Sequence, residues 1–365
     1  MTHDPIDGDA IVWCDGAFGT PNGKTAHGLV RFTRRYRVLG VIDQRHAGKD
    51  AGDVLDDAPC GIPVHATFDA ALADARTRGE PRTLVVGIAP DGGRLTPHDR
   101  LAVAAAIRAG LGVDCGLHDF LTEDPGFVAL AAEHGVRLRD VRKPAPVSQL
   151  HHFSSRIDEV DCLRIAVLGT DSAVGKRTTT VLLSQALEAR GLHSEVIGTG
   201  QTAWLQGVPY SVVMDSLIND FVAGELEHAV VSCWDEVRPD AVVVEGQGSL
   251  MNPAYPGGFE ILAATRPHAV VMQHAPTRVE YDGFPGFPMH PLTTQIKAME
   301  LLSGRPVVAV TLNHEGLDVA AGREAARAIT EETGLPCVDP LRDDLGPVVD
   351  AVLARRPPKA PKASG

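Results

Sequence analysis

The sequence predicts an α/β protein of two domains, each built on a parallel sheet. Three observations carry that expectation. Short β-branched runs alternate with helix-compatible segments, as they do where helices cross over between parallel strands. Two of these runs feed glycine- and lysine-bearing loops, at 15–25 and 169–176. Between them, residues 143–161 carry Pro144, Pro146 and several Ser and His with little apolar periodicity, which marks a joint. We therefore expect a Rossmann-like domain at 1–145, a linker at 146–162 and a P-loop NTPase-like, doubly wound domain at 163–355. A Pro- and Lys-rich tail at 356–365 should be disordered.

In chain order, 10–14 reads as the first strand. It leads into Asp15-Gly-Ala-Phe-Gly-Thr-Pro-Asn-Gly-Lys-Thr25, in which three residues separate Gly19 from Gly23-Lys24. That loop is either a plain turn or an anion cradle, with Lys24 and Thr25 holding a carboxylate or phosphate. A helix at 26–33 and a strand at 36–43 follow. The strand ends in Asp43, where dinucleotide folds place a ribose-binding acid, but the Gly-x-Gly-x-x-Gly fingerprint is missing. Residues 47–63 read as loop, 68–76 as helix, 83–88 as a buried strand, 101–109 as helix and 112–117 as strand. Cys115 and His118 have a metal-like spacing and His151 and His152 are adjacent, yet neither set has neighbours to complete a zinc site.

The second domain is organised by 163–181, LRIAVLGTDSAVGKRTTTV. An apolar run meets Gly169, crosses Thr170, Asp171, Ser172, Ala173 and Val174, and reaches Gly175-Lys176 ahead of a helix. Strand, glycine loop, lysine and helix is the layout of a phosphate-binding loop. Glycines let backbone N–H groups turn inward around phosphate oxygens, and the helix N-terminus adds its positive end. Lys176 supplies a mobile, exposed point charge. Two departures matter. The loop is one residue longer than usual, and Arg177 stands where a Ser or Thr normally follows the lysine, displacing the first hydroxyls to Thr178 and Thr179. One residue rotates a side chain by about 100° on a helix, so the loop predicts phosphate binding without by itself predicting hydrolysis.

A strand at 194–198 ends in Thr199-Gly200-Gln201-Thr202, a polar loop at the edge where open α/β sheets bind ligands. Asp215 and Asp220 follow on a helix, five apart, and need not share a face. The stretch 241–250, AVVVEGQGSL, runs four apolar residues into Glu245, then Gly246, Gln247, Gly248 and Ser249. A carboxylate at the end of a buried strand in a P-loop domain is placed to act on Mg²⁺ directly or through water. Strands at 269–273 and 307–312 carry His274, Arg278, Asn313 and His314 beyond their ends. Residues 283–288, Gly-Phe-Pro-Gly-Phe-Pro, read as a lid or substrate wall. A helix at 317–333, a short strand at 336–339 and a helix at 345–354 finish the domain.

Composition narrows the partners. A formal net charge of −13 argues against nucleic acid, which needs clustered Lys and Arg. No apolar run approaches the roughly 20 residues that span a bilayer, and residues 1–9 are too polar for a signal peptide, so no membrane partner is expected. The six cysteines are scattered without a Cys-x-x-Cys pair, which predicts a reduced protein without disulfides or structural zinc. We expect a cytoplasmic homo-oligomer acting on a small molecule.

Gly169-Thr-Asp-Ser-Ala-Val-Gly-Lys176 resembles the loop of dethiobiotin synthetase, a MinD-like P-loop enzyme, and 244–250 resembles its Glu-Gly-Ala-Gly-Gly segment. More of the chain resembles a family joining a Rossmann-like N-terminal domain to this P-loop domain, whose members are described as D-glutamate N-acetyltransferases. The matching pieces are 16–28, 169–180, Gly200-Gln201-Thr202, Asp220-Phe-Val-Ala-Gly224 and 245–250. This resemblance implies acetyl-CoA as donor, whose pyrophosphate and 3′-phosphate suit a loop that cradles without hydrolysing. It implies a small amino acid such as D-glutamate as acceptor.

On that reading the loop from Gly169 to Thr179 holds the donor, Lys176 assists, and Glu245 or Asp215 is the base. Gln201, Thr202, Gln247, Gly248, Ser249, Lys24 and Thr25 serve the substrate, and Arg278 pairs with its carboxylate through two hydrogen bonds. The alternative is a Mg-ATP-dependent ligase or small-molecule kinase, with Thr178, Asp220 and Glu245 around the metal. A nucleotide-binding regulatory protein, with the loop as a switch, is the third reading.

Overall fold

Every residue of β1 (Asp9–Trp13) is buried, as in a strand whose sheet is covered on both faces. In the computed structural model, which describes residues 6–357, β1 lies inside a six-stranded sheet. After it come α1 (Lys24–Phe32), β2 (Arg37–Ile42), α2 (Ala51–Asp56), β3 (Val64–His65), α3 (Phe68–Arg78) and β4 (Pro81–Val86). They are followed by α4 (Pro97–Arg108), β5 (Gly112–Cys115), α5 (Pro125–His134) and β6 (Leu138–Asp140). All pairings are parallel, in the order β3-β2-β1-β4-β5-β6 of dinucleotide-binding sheets. α2 and β3 fall in or beside the stretch read as loop. Asp50 caps α2 by accepting from Gly52 N at 2.8 Å, and both elements are too short for apolar periodicity to reveal.

The second sheet begins with β7 (Leu163–Gly169), seven buried residues, followed by α6 (Lys176–Ala189), β8 (Ser194–Gly198), α7 (Gln201–Leu205) and β9 (Tyr210–Ser211). Then come α8 (Asn219–Val237), β10 (Ala241–Glu245), α9 (Phe259–Thr265), β11 (Ala269–His274) and α10 (Leu292–Ser303). β12 (Val307–Leu312), α11 (Val319–Thr333), β13 (Cys337–Val338) and α12 (Gly346–Leu353) complete it. The seven strands are parallel, in the order β13-β12-β11-β7-β10-β8-β9. β7 is therefore central, and register sets Gly169 opposite Gln273 of β11 and Val167 opposite Glu245 of β10. The strands on either side of β7 thus end in polar residues, Gln273 and Glu245, at the C-terminal edge.

The chain divides into two units: one comprises residues up to 144 together with 201–208, the other 145–200 and the remainder from 209. The loop expected at 199–202 as part of the P-loop domain is corrected here. Its second half opens α7, which packs in the first unit. Leu205 is fully buried in that core, Arg35 lies 3.8 Å over the Trp204 ring, and Gln206 Nε2 donates to Gly28 O at 2.6 Å. Apolar burial of Leu205 and Trp204 outweighs sequence proximity to β8. Of the expected tail, Arg356 donates to Asp240 at 2.6 Å, and residues 358–365 lie outside the described residues. No described helix is long and apolar enough to cross a membrane.

Two predictions follow from packing. A Cβ built on Gly224 of α8 would lie 2.0 Å from His151 O, so the helix and the 151–152 backbone touch only because residue 224 is glycine. Gly224→Ala should cost about 1–3 kcal/mol through overpacking, which at roughly 3 °C per kcal/mol lowers the calorimetric Tm by several degrees. An unchanged Tm would mean that this backbone contact yields freely.

The second concerns acid. Burial lowers the pKa of His27, His268 and His274 each to about 4. The folded state keeps them neutral where an unfolded chain, near pH 6.5, takes up protons. Their contribution is complete above about pH 6.5 and is lost as pH falls toward 4. Denaturant titrations at pH 7, 6 and 5 should show falling stability; a flat profile would contradict the burial of these rings.

Candidate functional site

β7 carries Gly169 to the sheet edge, and α6 starts at Lys176 behind Gly175, whose φ of +103° is a conformation that favours glycine. The expectation of a mobile, exposed Lys176 is corrected by the structure: the side chain is buried and its Nζ donates to Asp171 O at 2.6 Å. Its methylene stem lies between two glycines. A Cβ on Gly169 would come within 3.0 Å of Lys176 Cδ, and a Cβ on Gly246 would meet the same atom at 3.0 Å and Val167 O at 2.3 Å. The glycine after Glu245 is thus needed to seat the lysine of a different strand's loop.

Four successive loop carbonyls accept from side chains. Asp171 O takes Lys176 Nζ, Ser172 O takes Arg278 Nη1 at 2.8 Å, Ala173 O takes Arg278 Nη2 at 3.4 Å, and Val174 O takes Asn313 Nδ2 at 2.8 Å. In a trans peptide the following N–H points opposite to the carbonyl. The amides of Ala173, Val174 and Gly175 therefore turn to the other side of the loop, where no described residue accepts from them. N–H groups without acceptors ahead of a helix are the kind of donors that hold anions in such loops.

Asp171 ties the loop to its neighbours. This fully buried carboxylate accepts from Ser172 N at 2.7 Å and Asn252 Nδ2 at 2.9 Å through Oδ1. Through Oδ2 it accepts from Asp282 N at 2.8 Å and Arg278 Nη1 at 3.2 Å. Arg278 was expected to hold a substrate carboxylate, and the structure corrects this. Its remaining donors reach Glu315 Oε2, at 3.0 Å from Nε and 2.9 Å from Nη2, so the whole guanidinium fork is engaged within the protein. It is a strut of the phosphate loop.

On the β10 side, Glu245 Oε2 accepts from Arg177 Nη1 and from Thr199 N, both at 2.9 Å. Burial pulls the Arg177 pKa below its ordinary value, against the attraction of Glu245; a guanidinium nevertheless stays charged at neutral pH. Gln247 Nε2 donates to Thr199 Oγ1 at 3.2 Å. Gly248 has φ +51°, and a Cβ there would sit 2.0 Å from Tyr255 O, so only glycine fits. Ser249 is buried, and its Oγ has no hydrogen-bond partner among the described residues.

Along α6, Thr179 Oγ1 donates to Gln273 Oε1 at 2.5 Å, while half-buried Thr178 makes no side-chain hydrogen bond among the described residues. Thr170 Oγ1 lies 3.0 Å from His274 Nδ1.

The residues assigned to a metal do not form one cluster. Glu245 is taken by Arg177, and exposed Asp220 sits in the first turn of α8 with no hydrogen bond to the loop or to Glu245 among the described residues. Asp215 is not on that helix. It is exposed on a single 3-10 turn, Met214–Ser216, because Leu217 and Ile218 are extended and break the helical run. Among the described residues no group of three or more His, Cys, Asp or Glu is arranged to hold a metal ion.

Four of the expected substrate residues belong to the first unit. Thr25 and Thr202 share a hydrogen bond between hydroxyls at 3.1 Å, exposed Lys24 opens α1, and Gln201 Cγ lies 2.9 Å from where a Cβ on Gly116 would be. Asp43, compared above with a ribose-binding acid, is fully buried and accepts from Phe18 N at 2.8 Å and Arg45 N at 2.7 Å. It holds the glycine loop after β1, and that use of its oxygens corrects the comparison.

Sequence reasoning missed Asn252, Gln273, Asp282 and Glu315. Gln273 was legible in principle, being a polar residue at the end of an otherwise apolar strand. The others sit in loops, without a periodic signal.

Arg278→Lys tests the strut. A lysine cannot span two carbonyls and two carboxylates at once, so in the segment that Asp171 holds, exchange of the hydrogen-bonded Ser172 and Asp282 amides should speed up by about tenfold. Hydrogen exchange confined to native levels in this segment would remove Arg278 from the loop's support.

The comparisons with known proteins agree with this architecture. The family description "Domain of unknown function (DUF1611_C) P-loop domain" matches residues 151–349, and the DUF1611_N Rossmann-like domain matches 44–144. A curated protein from Tritonibacter scottomollicae, named D-glutamate N-acetyltransferase, is 31% identical over 309 residues, 81% of this chain and 87% of its own. A second of that name, from a Pseudoalteromonas species, is 30% identical over 278 residues, 73% of this chain and 80% of its own. The crystal structure of a DUF1611 family protein from Anabaena variabilis matches with a TM-score of 0.86 and 30% identity, covering 95% of this chain and 99% of that one. With the P-loop description spanning more than half of its residues and the Rossmann-like description preceding it, this chain belongs to the DUF1611 family.

Proposed function

We propose that the chain transfers an acetyl group from acetyl-CoA to the amino group of a small amino acid, with the loop amides holding the donor's phosphates. D-glutamate is the acceptor in the names of its curated relatives. The observation that favours this over a Mg-nucleotide enzyme is the Arg177–Glu245 pair. The carboxylate at the end of β10 is the one a P-loop enzyme would turn to its metal. Here its Oε2 is 2.9 Å from a guanidinium, and both side chains are largely buried, at 6% and 13% exposure. A fixed positive charge at that oxygen opposes a divalent cation. The same charge, beside the free amides of 173–175, favours a polyanion.

The transfer needs a base for the attacking amine and donors for the oxyanion of the tetrahedral intermediate. Glu245 is the candidate base through Oε1, since Oε2 is occupied by Arg177 and Thr199 N. Ser249 Oγ, buried without a partner among the described residues, and the Gln247 amide are the candidate donors. Collapse of the intermediate forms the amide and releases CoA as thiolate, and the proton taken from the amine is available to it.

Thiol release from acetyl-CoA with D-glutamate as acceptor should persist in EDTA. Strict Mg²⁺ dependence or consumption of ATP would instead support the ligase or kinase reading. Lys176→Ala removes a charged donor, worth about 1.5–3 kcal/mol when bonded to an anion, so calorimetry should show CoA affinity reduced by at least about tenfold. Unaltered affinity would exclude the loop as the phosphate site.

A further inference from the structure

Beside the phosphate loop lies an open pocket of about 430 Å³ that the proposed chemistry leaves unused, lined by Met251, Pro253, Tyr281, Phe287, Met289 and His290 among others. Its size lies within the range of small-molecule sites. The two walls are the two loops that Asp171 ties down. Met251 precedes Asn252, whose Nδ2 donates to Asp171 Oδ1 at 2.9 Å, and Tyr281 precedes Asp282, whose N–H donates to Asp171 Oδ2 at 2.8 Å. On each wall the pocket therefore starts one residue from a group bonded to the phosphate loop.

The lining is apolar and ordered. Tyr281 N donates to Phe287 O at 3.1 Å and Met289 N to Val279 O at 2.8 Å, which folds the Gly/Pro segment back on itself. Thioethers at Met251 and Met289 adapt to a flexible ligand. The polar feature is Tyr281 Oη with His290 Nδ1, 2.8 Å apart. Phe287 of the lining is 55% exposed, so an apolar ring stands in water at the pocket. An apolar wall open to water suits a ligand with an apolar portion.

We infer that this pocket receives the pantetheine arm of the acyl-CoA thioester. The inference rests on the reading of the loop as a site for CoA phosphates. The arm is an uncharged chain of methylene groups, amides and sulfur attached to the pyrophosphate. Asp171 belongs to the same loop as the amides of 173–175 and is bonded to both walls, so an arm leaving phosphates held by that loop has the two tethered walls as its neighbours. The apolar lining takes its methylenes, and the Tyr281–His290 pair offers a partner to an amide. A nucleoside triphosphate lacks this arm.

The test uses calorimetry on the full chain with CoA and with 3′-phospho-ADP, which has the phosphates and no arm. Wild type should bind CoA about tenfold or more tightly than 3′-phospho-ADP. Met289→Trp, which fills the pocket, should remove that advantage and leave 3′-phospho-ADP affinity unchanged. Phe287→Ala, at an exposed position that folding tolerates, should reduce CoA affinity severalfold with the same selectivity. Equal affinity of wild type for both ligands, or equal loss of both in the variants, would overturn the pocket assignment while leaving the phosphate site standing. Binding of neither ligand by wild type would overturn both.

Discussion

A buried carboxylate inside the phosphate loop holds the second unit's site together. Asp171 is fully enclosed and accepts four hydrogen bonds, from its own loop, from the loop after β10 and from the loop after β11. Charge in that position is tolerable only because every donor is present. Removing one partner of such a buried pair costs about 3–5 kcal/mol, since the other is left uncompensated. Asn252, Arg278 and Asp282 are therefore constrained together, and with them the carbonyls of Ser172 and Ala173 that Arg278 holds outward. The free amides of the loop are a consequence of this outward anchoring.

The Arg177–Glu245 pair gives the other face of the loop its character. A longer loop and an arginine after Lys176 look like defects when measured against a hydrolase. In the fold they are coherent: the helix turn that loses a hydroxyl at 177 gains a guanidinium directed at the strand-end carboxylate, 2.9 Å away. Two buried charges in one short contact also fix the position of Thr199, whose N–H and hydroxyl both bond to Glu245. The glycines at 246 and 248 belong to the same construction, one giving room to the Lys176 stem and the other to the Tyr255 carbonyl.

The first unit shows how tertiary burial overrides chain order. Residues 201–208 follow a strand of the second sheet yet complete the core and polar network of the first. Leu205 enters the core, Trp204 lies beneath Arg35 and Arg139, and Thr202 meets Thr25. An aromatic ring under two guanidinium groups is a substantial local stabilisation.

By itself the sequence determined the class and the longer strands of both sheets, because parallel strands buried on both faces read as continuous β-branched runs bounded by turn residues. It also determined the phosphate loop and the strand-end Glu245, whose signals are local in sequence: glycines, a lysine and an apolar run at fixed offsets. Family membership was legible for the same reason. Only the tertiary structure decided what the polar residues of the site do. Lys176 turned from an exposed charge into a buried one, Arg278 from a candidate substrate ligand into a strut, and Asp43 into an anchor for the loop after β1. Asn252, Asp282 and Glu315 carry no periodicity and lie 81, 111 and 37 positions from the partners they bind. Hydrogen bonds between distant loops depend on strand order and register, and no local pattern of side chains encodes either.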